Sequence, residues 1–589
     1  MLELKFIDPD KIEKRDYQFA DAAEIIEAGK RGLNCGLVYP TGTGKTFTAF
    51  LAVDHYLSLG KVLLLAHTNP LCEQHWRDAK FIFDLPDSEI SKLLGKVAPK
   101  KREEIWRQSR LIVATPQTVV SELEKNTIDL RGVSLVVFDE MHMANKKYAY
   151  VAIAKLCQLH NIRVLGLTAS SGDSERLELI EENYHLQWWL YRPSNDEEVK
   201  KFIFPKKEKR IVLDYPEWHR ETIIYLRRVI LRFHNAFAKS GLIESISGIQ
   251  DLDRRLPFYR LTELNGIYAR LNRWVEERKA EDKKLSTPKF LWYEYIVLYG
   301  AYYRLMHLLN LFVTEGYHVA LKYIEEISKQ LVWLNSDDPW AVPFYKRNAA
   351  SRIWLDNDFH EFRLRLISLV QNNKLHAKLA RFLELVAEHL KVNDKLLIFS
   401  NYKSTLDVLA EQLKARGIDA RIVAGNAFMK SPEQRIVLDE FEAGKFPVLL
   451  ATTVVEAGIH VPKIDVVINY SMPLTGIAQI QRGGRAGRTA VGLIYYLIMD
   501  NSNDSSLYFA ARSDNKYMDA ELKRRLAIQK MEQAGEDVRL FRAKQESLAL
   551  TGITDKVFKK PKLRSRGRVL PKTTHEQLNL FENTTAGGE

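Results

Sequence analysis

Cysteine is scarce: 589 residues hold three, Cys35, Cys72 and Cys157, and no two stand at CxxC spacing. That excludes a disulfide-stapled scaffold and argues against a zinc ribbon or finger. Long apolar runs are missing too. The most apolar helical stretch, 290–312, is interrupted by Glu294, Arg304 and His307. Nothing therefore reaches the roughly 18 uninterrupted apolar residues of a membrane span. The opening MLELKFIDPDKIEKR (1–15) has acidic residues at once and no apolar core, so no secretory signal is read there. A cytoplasmic chain without membrane association is expected. Acid is in deficit: 87 Lys+Arg against 75 Asp+Glu leave a formal charge of +12, which suits a polyanionic partner. What remains is ordinary for a globular protein, 46% hydrophobic and 28% charged. At about 150 residues per domain, the length predicts roughly two to four domains.

Residues 35–170 contain five short apolar runs: CGLVYP (35–40), VLLLAH (62–67), LIVAT (111–115), LVVFDE (135–140) and VLGLTA (164–169). Amphipathic segments of helix length separate them. Continuous apolar runs alternating with helices predict buried parallel strands, hence a doubly wound α/β sheet. The theme returns in LLIFS (396–400), ARIVAG (420–425), VLLAT (448–452), VVINY (466–470) and LIYYLIM (493–499). Between them, 215–375 reads as long helices rich in Leu, Tyr and Trp, an all-α insert whose aromatics are read as core. The expected organisation is an α/β lobe over 1–214, the insert over 215–375 and a second α/β lobe over 376–510. An amphipathic helix around 517–547 marks a helical extension over 511–550, and 551–589 reads as a basic disordered tail.

PTGTGKT (40–46) follows an apolar run and precedes a helical segment, the strand–turn–helix context of a phosphate loop. Gly42 and Gly44 permit the turn; Pro40 leads into it, and backbone N–H groups from Thr41, Gly42, Thr43 and Gly44 can surround the phosphates. Lys45 reaches the β- and γ-phosphates, and Thr46 holds Mg²⁺. Tyr39 replaces the first Gly of the general GxxxxGK[ST] pattern. LVVFDEMH (135–142) puts Asp139 and Glu140 at the C-terminal end of a strand, where open α/β sheets bind ligands. There, one carboxylate can hold Mg²⁺ through water and its neighbour can activate the attacking water. QIQRGGRAGR (479–488) places Arg485 and Arg488 after a strand of the second α/β region, among glycines that admit another domain. Guanidinium groups supplied across such an interface stabilise charge on a γ-phosphoryl group.

With these three segments in order, the chain resembles a superfamily 2 helicase with two RecA-like lobes. RDYQ (15–18) resembles the adenine-reading segment, with Gln18 as the base contact. AHTNPL (66–71) and ATPQT (114–118) resemble the strand-end motifs that grip nucleic acid, and LTAS (167–170) the motif coupling ATP state to lobe movement. IFSNYKST (398–405), ATTVVEAGIHVP (451–462) and QRGGRAGR (481–488) resemble the lobe 2 series, in which Gln481, Arg485 and Arg488 sense the γ-phosphate. ATPQT, the DExH sequence, YAYV (148–151), IFSNY, the helical insert and ALKYIEEI (320–327) are similar to the Hef/FANCM branch. The resemblance implies an ATP- and Mg²⁺-dependent DNA helicase or translocase on forked or branched DNA in replication and repair, with 3′ to 5′ polarity. It carries no expectation of the nuclease domain of archaeal Hef. Departures are Ser171 after TAS, Asn69 for a frequent Lys, and His460 for the usual Asp of GxDxP.

Nucleic-acid contacts implied by motif position are Thr68, Thr115, Ser400, Asn401 and Thr452, each equally readable as a turn or cap residue. In the tail, 556–572 holds eight Lys/Arg and no acid, a source of salt-sensitive affinity or of plain solubility. QLNLF (577–581) is an apolar island there that resembles the peptide by which bacterial proteins bind the sliding clamp. Leu578, Leu580 and Phe581 would fill a pocket and Gln577 would set register; a chance cluster is the alternative. Two further readings stay open: an RNA helicase or duplex-RNA translocase of the RIG-I/Dicer kind, and a non-catalytic adaptor binding clamp and DNA.

Overall fold

The computed structural model describes residues 3–95, 97–143, 149–172, 174–255, 261–282, 291–331, 348–425, 428–453, 464–486 and 492–535. Two compact units result. The first lies within Met1–Ile211, Leu383–Leu497 and Leu507–Phe558; the second takes in Val212–Phe382 and Ile498–Ser506.

The first unit holds two sheets. One comprises β1 (Asn34–Val38), β2 (Lys61–Leu65), β3 (Ile90–Leu93), β4 (Leu111–Ala114), β5 (Val133–Asp139), β6 (Arg163–Thr168) and β7 (Leu186–Tyr191) in the order β3-β4-β2-β5-β6-β1-β7. The other comprises β8 (Lys206–Leu213), β9 (Leu396–Phe399), β10 (Ala420–Val423), β11 (Val448–Ala451), β12 (Val466–Asn469) and β13 (Gly492–Met499), ordered β10-β11-β9-β12-β13-β8. Neighbours pair in parallel, as the uninterrupted apolar runs require. Alternate residues supply opposite faces. Leu37, Val62, Leu64, Val113 and Val137 enter one core, while Val38, Leu63, Leu65, Ile112 and Val136 enter the other. Each such burial contributes about 1.5–3 kcal/mol, which is why neither face tolerates polar alternation.

Three strands lie outside the predicted runs. β3 (ISKL) is short and half polar, and β7 (LQWWLY) is an aromatic edge strand. β8 (KKEKRIVL) falls inside the stretch 1–214 assigned to the first lobe, yet it pairs with β13 in the second sheet. Its exposed cations defend the edge against strand addition, with Lys209 over Tyr495 at 5.4 Å and Arg210 over Phe509 at 5.6 Å.

Apart from the last residues of β8 and β13, the described residues of the second unit are mainly helical, with helices that include Glu217–Ala238, Leu261–Asp282, Leu291–Asn310, Tyr317–Lys329 and Asn357–Gln371. The helical periodicity read over 294–334 is broken: Leu311–Glu315 is a π-turn and Gly316, at φ +115°, resets the backbone before Tyr317. His376 Nε2 donates to the Val313 carbonyl of that turn at 3.1 Å. His219 is stacked between Tyr215 (4.6 Å) and Phe312 (4.3 Å), 5.8 Å from His376. Burial, then the neighbouring His376 and two arginines, pushes His219 down to about 2, and burial brings His376 to about 3. Trp292–Glu315 is long and apolar enough to cross a membrane, but its most apolar part is largely buried inside the protein. Its polar residues are paired there: Glu294 with Arg352, and Arg304 with Gln330 at 3.0 Å.

The helix Asn503–Gln533 starts directly after β13, earlier than the 517–547 and 511–550 segments expected. It runs against the first sheet, burying Met518 and Leu522 in that core. Glu181 accepts from Arg525 at 2.6 and 2.8 Å, and Tyr191 donates to Asp519. The Gln529 amide accepts from the Trp189 N–H (2.9 Å) and donates to its carbonyl (3.2 Å), capping the open edge of β7.

Candidate nucleotide site

β1 delivers the chain into the loop 40–44, and α2 (Lys45–Leu57) leaves it. Gly42 (φ +86°) and Gly44 (φ +84°) are both left-handed, which the turn demands. A Cβ on Gly44 would stand 2.3 Å from Gln18 Nε2. α1 (Asp16–Lys30) explains that contact, since Tyr17 and Gln18 lean onto the loop. Tyr17 OH donates to the Thr43 carbonyl at 2.6 Å and Gln18 Nε2 at 2.9 Å, leaving Gln18 Oε1 buried without a partner among the described residues. Thr43 Oγ1 donates to the Pro40 carbonyl at 2.7 Å, closing the loop on itself. α1 is fixed in turn by Asp21, which accepts from Tyr39 OH (2.5 Å) and bidentately from Arg192 (2.6 and 3.0 Å).

Lys45 starts α2 with its Nζ 3.9 Å from Glu140 Oε1. Glu140 follows the last residue of β5 and adopts φ +51°, a conformation that non-glycine residues rarely take. The turn aims its side chain at the loop. Burial alone would raise the Glu140 pKa, but Lys45, then His142 and His67, hold it well below the usual carboxylate range. Glu140 Oε2 lies 3.2 Å from His142 Nδ1, and that nitrogen also meets Thr168 Oγ1 at 2.9 Å. Thr168 gives its own proton to the Ser170 carbonyl (2.7 Å), so His142 Nδ1 is the donor. His67 is held below its ordinary value by burial, against the pull of Asp139 and Glu140. Asp139 is buried; Oδ1 accepts the Glu140 N–H at 3.0 Å and Oδ2 accepts from His75 Nε2 at 2.7 Å. Thr46 follows Lys45 at the start of α2, and Asp139 precedes Glu140, whose carboxylate reaches Lys45; a hydroxyl and a carboxylate are hard oxygen donors, a chemistry that fits Mg²⁺.

The second sheet contributes at Gly484, where a Cβ would meet Thr41 Oγ1 at 2.2 Å. This brings the segment carrying Gln481 and Arg485 onto the loop. Gln481 is buried with Nε2 unpartnered among the described residues, and Arg485 is partly exposed. Arg482 instead faces inward, wholly buried, donating to the Ser471 carbonyl and Asn401 Oδ1, each at 2.7 Å. Arg488 and His460 lie outside the described residues.

The five residues implied for nucleic-acid contact all stand just past strand ends, but they differ in availability. Thr68 is partly exposed and caps α3 (Asn69–Ile82), accepting the Leu71 N–H at 3.4 Å. Thr115 Oγ1 is 2.7 Å from Thr118 Oγ1, and Thr452 is buried to 9% exposure. Ser400 is fully buried, its hydroxyl 2.9 Å from that of Ser471 and accepting the Tyr402 N–H at 3.2 Å. Asn401 is tied to Arg482 and donates to the Met472 carbonyl at 2.9 Å. Gln577, Leu578, Leu580 and Phe581 lie outside the described residues. Tyr17, His75, Thr168 and Gly484 were not singled out as site residues from the sequence. Only His75 carried a signal there, seven residues after Thr68 and thus on the same helix face.

Residues 19–177 match the DEAD/DEAH box helicase family and 377–490 the helicase conserved C-terminal domain. A putative ATP-dependent RNA helicase of Methanocaldococcus jannaschii is 29% identical over 535 residues, 89% of this chain and 62% of that protein. The putative ATP-dependent DNA helicase fml2 of Schizosaccharomyces pombe is 25% identical over 492 residues, 80% of this chain and 60% of that one. The chain thus spans less than two thirds of the length of these curated relatives. The crystal structure of the Pyrococcus furiosus Hef helicase domain is similar with a TM-score of 0.61 and 30% identity, over 86% of this chain and 100% of that domain.

Proposed function

Because the chain belongs to the Hef/FANCM-like branch of the superfamily 2 DExH helicases and carries their ATP-dependent helicase core, we propose that it is a DNA helicase or translocase acting on forked or branched DNA in replication and repair, with 3′ to 5′ polarity. The observation that supports this best is the meeting of Lys45, Glu140 and the Gly484 segment around one glycine turn. In this reading Gln18 receives adenine with its unpartnered Oε1, and the turn from Pro40 to Gly44 with Lys45 binds the phosphates. Thr46 and Asp139 would hold Mg²⁺, which would supply charge neutralisation to the phosphates. Glu140, kept ionised by Lys45, orients and deprotonates water. Gln481, Arg485 and Arg488 stabilise charge on the γ-phosphoryl group from the second lobe. Thr68, Thr115 and Thr452 line the strand path, with Asn401 in support.

The relative from Methanocaldococcus is named a putative ATP-dependent RNA helicase, which favours RNA as the substrate in a second reading. One comparison separates them: ATPase stimulation by single-stranded DNA, duplex DNA, a fork, a four-way junction and duplex RNA. Strongest stimulation by fork or junction is expected; stimulation by RNA alone would move the assignment to RNA, and none at all would revive the adaptor reading. We propose a bacterial-type sliding clamp as a further partner through QLNLF (577–581).

A further inference from the structure

α3 leaves β2 beside the end of β5, where Leu65 pairs with Phe138, the residue before Asp139. Its buried face is made of Leu71, Cys72, His75 and Ala79. Three of these are apolar. The fourth, His75, is buried to 3% exposure and reaches Asp139, its Nε2 2.7 Å from Oδ2. An acceptor oxygen there puts the imidazole proton on Nε2. The other nitrogen, Nδ1, is buried without a hydrogen-bond partner among the described residues.

As a core residue this histidine is a poor choice. Leaving one buried polar atom unsatisfied costs about 1–3 kcal/mol, which a leucine of similar volume would avoid. What the imidazole achieves instead is constraint. With Oδ1 on the Glu140 N–H and Oδ2 on His75, both carboxylate oxygens are held, and each keeps a lone pair for a further ligand. α3 is also the helix capped by Thr68, two turns earlier on the same face.

We infer that His75 is a positioning residue for Asp139, joining alignment of the metal-bearing carboxylate to the helix that meets the nucleic-acid strand. The inference rests on the reading above, in which Asp139 serves Mg²⁺ and Thr68 the strand. Substituting groups that orient a metal ligand lowers metal affinity or activity about 10–100-fold. The motion of α3 on strand binding would then reach the carboxylate directly, with no relay through the sheet.

The test uses the full chain with His75→Leu and His75→Gln, a Mg²⁺ titration of fluorescent ATP-analogue binding, and DNA-stimulated ATPase. His75→Leu is expected to raise half-saturating Mg²⁺ about tenfold and to lower the stimulated kcat about tenfold. KM for ATP at saturating Mg²⁺ should hold. His75→Gln, whose amide donates to the same oxygen, should recover most of both. Leucine here can also lower the melting temperature, so Asp139→Asn provides a second arm: on that background His75→Leu should add no further loss. Wild-type Mg²⁺ dependence in His75→Leu, or full additional loss on Asp139→Asn, overturns the inference alone. A wild-type chain whose nucleotide binding ignores Mg²⁺ overturns the assignment of Asp139 and this inference together.

Discussion

Gly484 and Thr41 meet so closely that a Cβ on the glycine would stand 2.2 Å from the threonine hydroxyl and 2.6 Å from its Cβ. Gly484 has an ordinary helical backbone, φ −67°, so alanine is tolerated conformationally and fails only on space. Overpacking of this kind costs about 1–3 kcal/mol. Gly484→Ala should therefore fold normally by circular dichroism yet hydrolyse ATP at least about tenfold more slowly. Turnover at the wild-type rate would mean that the contact has no part in the reaction.

Glu140→Gln keeps the shape of the site but loses the base. ATP and DNA should still bind, while hydrolysis under saturating DNA falls at least about 10²-fold. The amide also ends the attraction to Lys45, so nucleotide affinity, measured by fluorescence, should hold or rise. A near-normal kcat would remove Glu140 from the role of base.

Acid should loosen the helical unit. His219 and His376 titrate near 6.5 when unfolded but near 2 and 3 in the fold, so between those values the unfolded chain binds more protons. Stability then rises with pH, and each histidine removes roughly 1.4 kcal/mol per pH unit as the pH falls below about 6.5. The groups facing His219 are His376, Arg220, Arg227, Tyr215 and Tyr317. His219→Phe keeps the stack on Phe312 and should flatten the dependence by about that amount between pH 7 and 5. Urea unfolding at the two pH values measures it; equal slopes in both proteins would refute the account.

The tail reading makes its own demand. Leu580→Ala with Phe581→Ala should eliminate calorimetric binding to a bacterial-type clamp while leaving DNA-stimulated ATPase unchanged. An ordering peptide should bind at micromolar rather than nanomolar strength. Absence of heat from the wild-type peptide would return QLNLF to a chance cluster.

Legibility followed contiguity. β1, β2, β5 and β11 were readable because both faces are buried and each carries a continuous apolar run, and the glycine turn because its chemistry sits in seven consecutive residues. β8 was not, since an edge strand open to solvent is written in lysine and arginine. The long insert helix looked continuous because apolar residues run on through 311–317; neither the π-turn nor the φ of Gly316, which together break it, leaves a mark in that pattern. Ser400 matched a motif, but nothing local foretold that Ser471 would claim its hydroxyl. The contacts of His75 with Asp139 and Gly484 with Thr41 join distant segments, and no spacing rule encodes them.

The amide of Gln529 that seals β7 has a consequence for synthesis. Trp189 and Gln529 are 340 residues apart, so a sheet made early waits for a helix made much later. At about 5–20 residues per second, that interval is roughly 20–70 s on the ribosome. Throughout it β7 presents an unpaired edge beside Trp189, a template for strand addition by a neighbouring nascent chain. Crowded polysomes, rather than the finished protein, are where this fold is most exposed to misassembly.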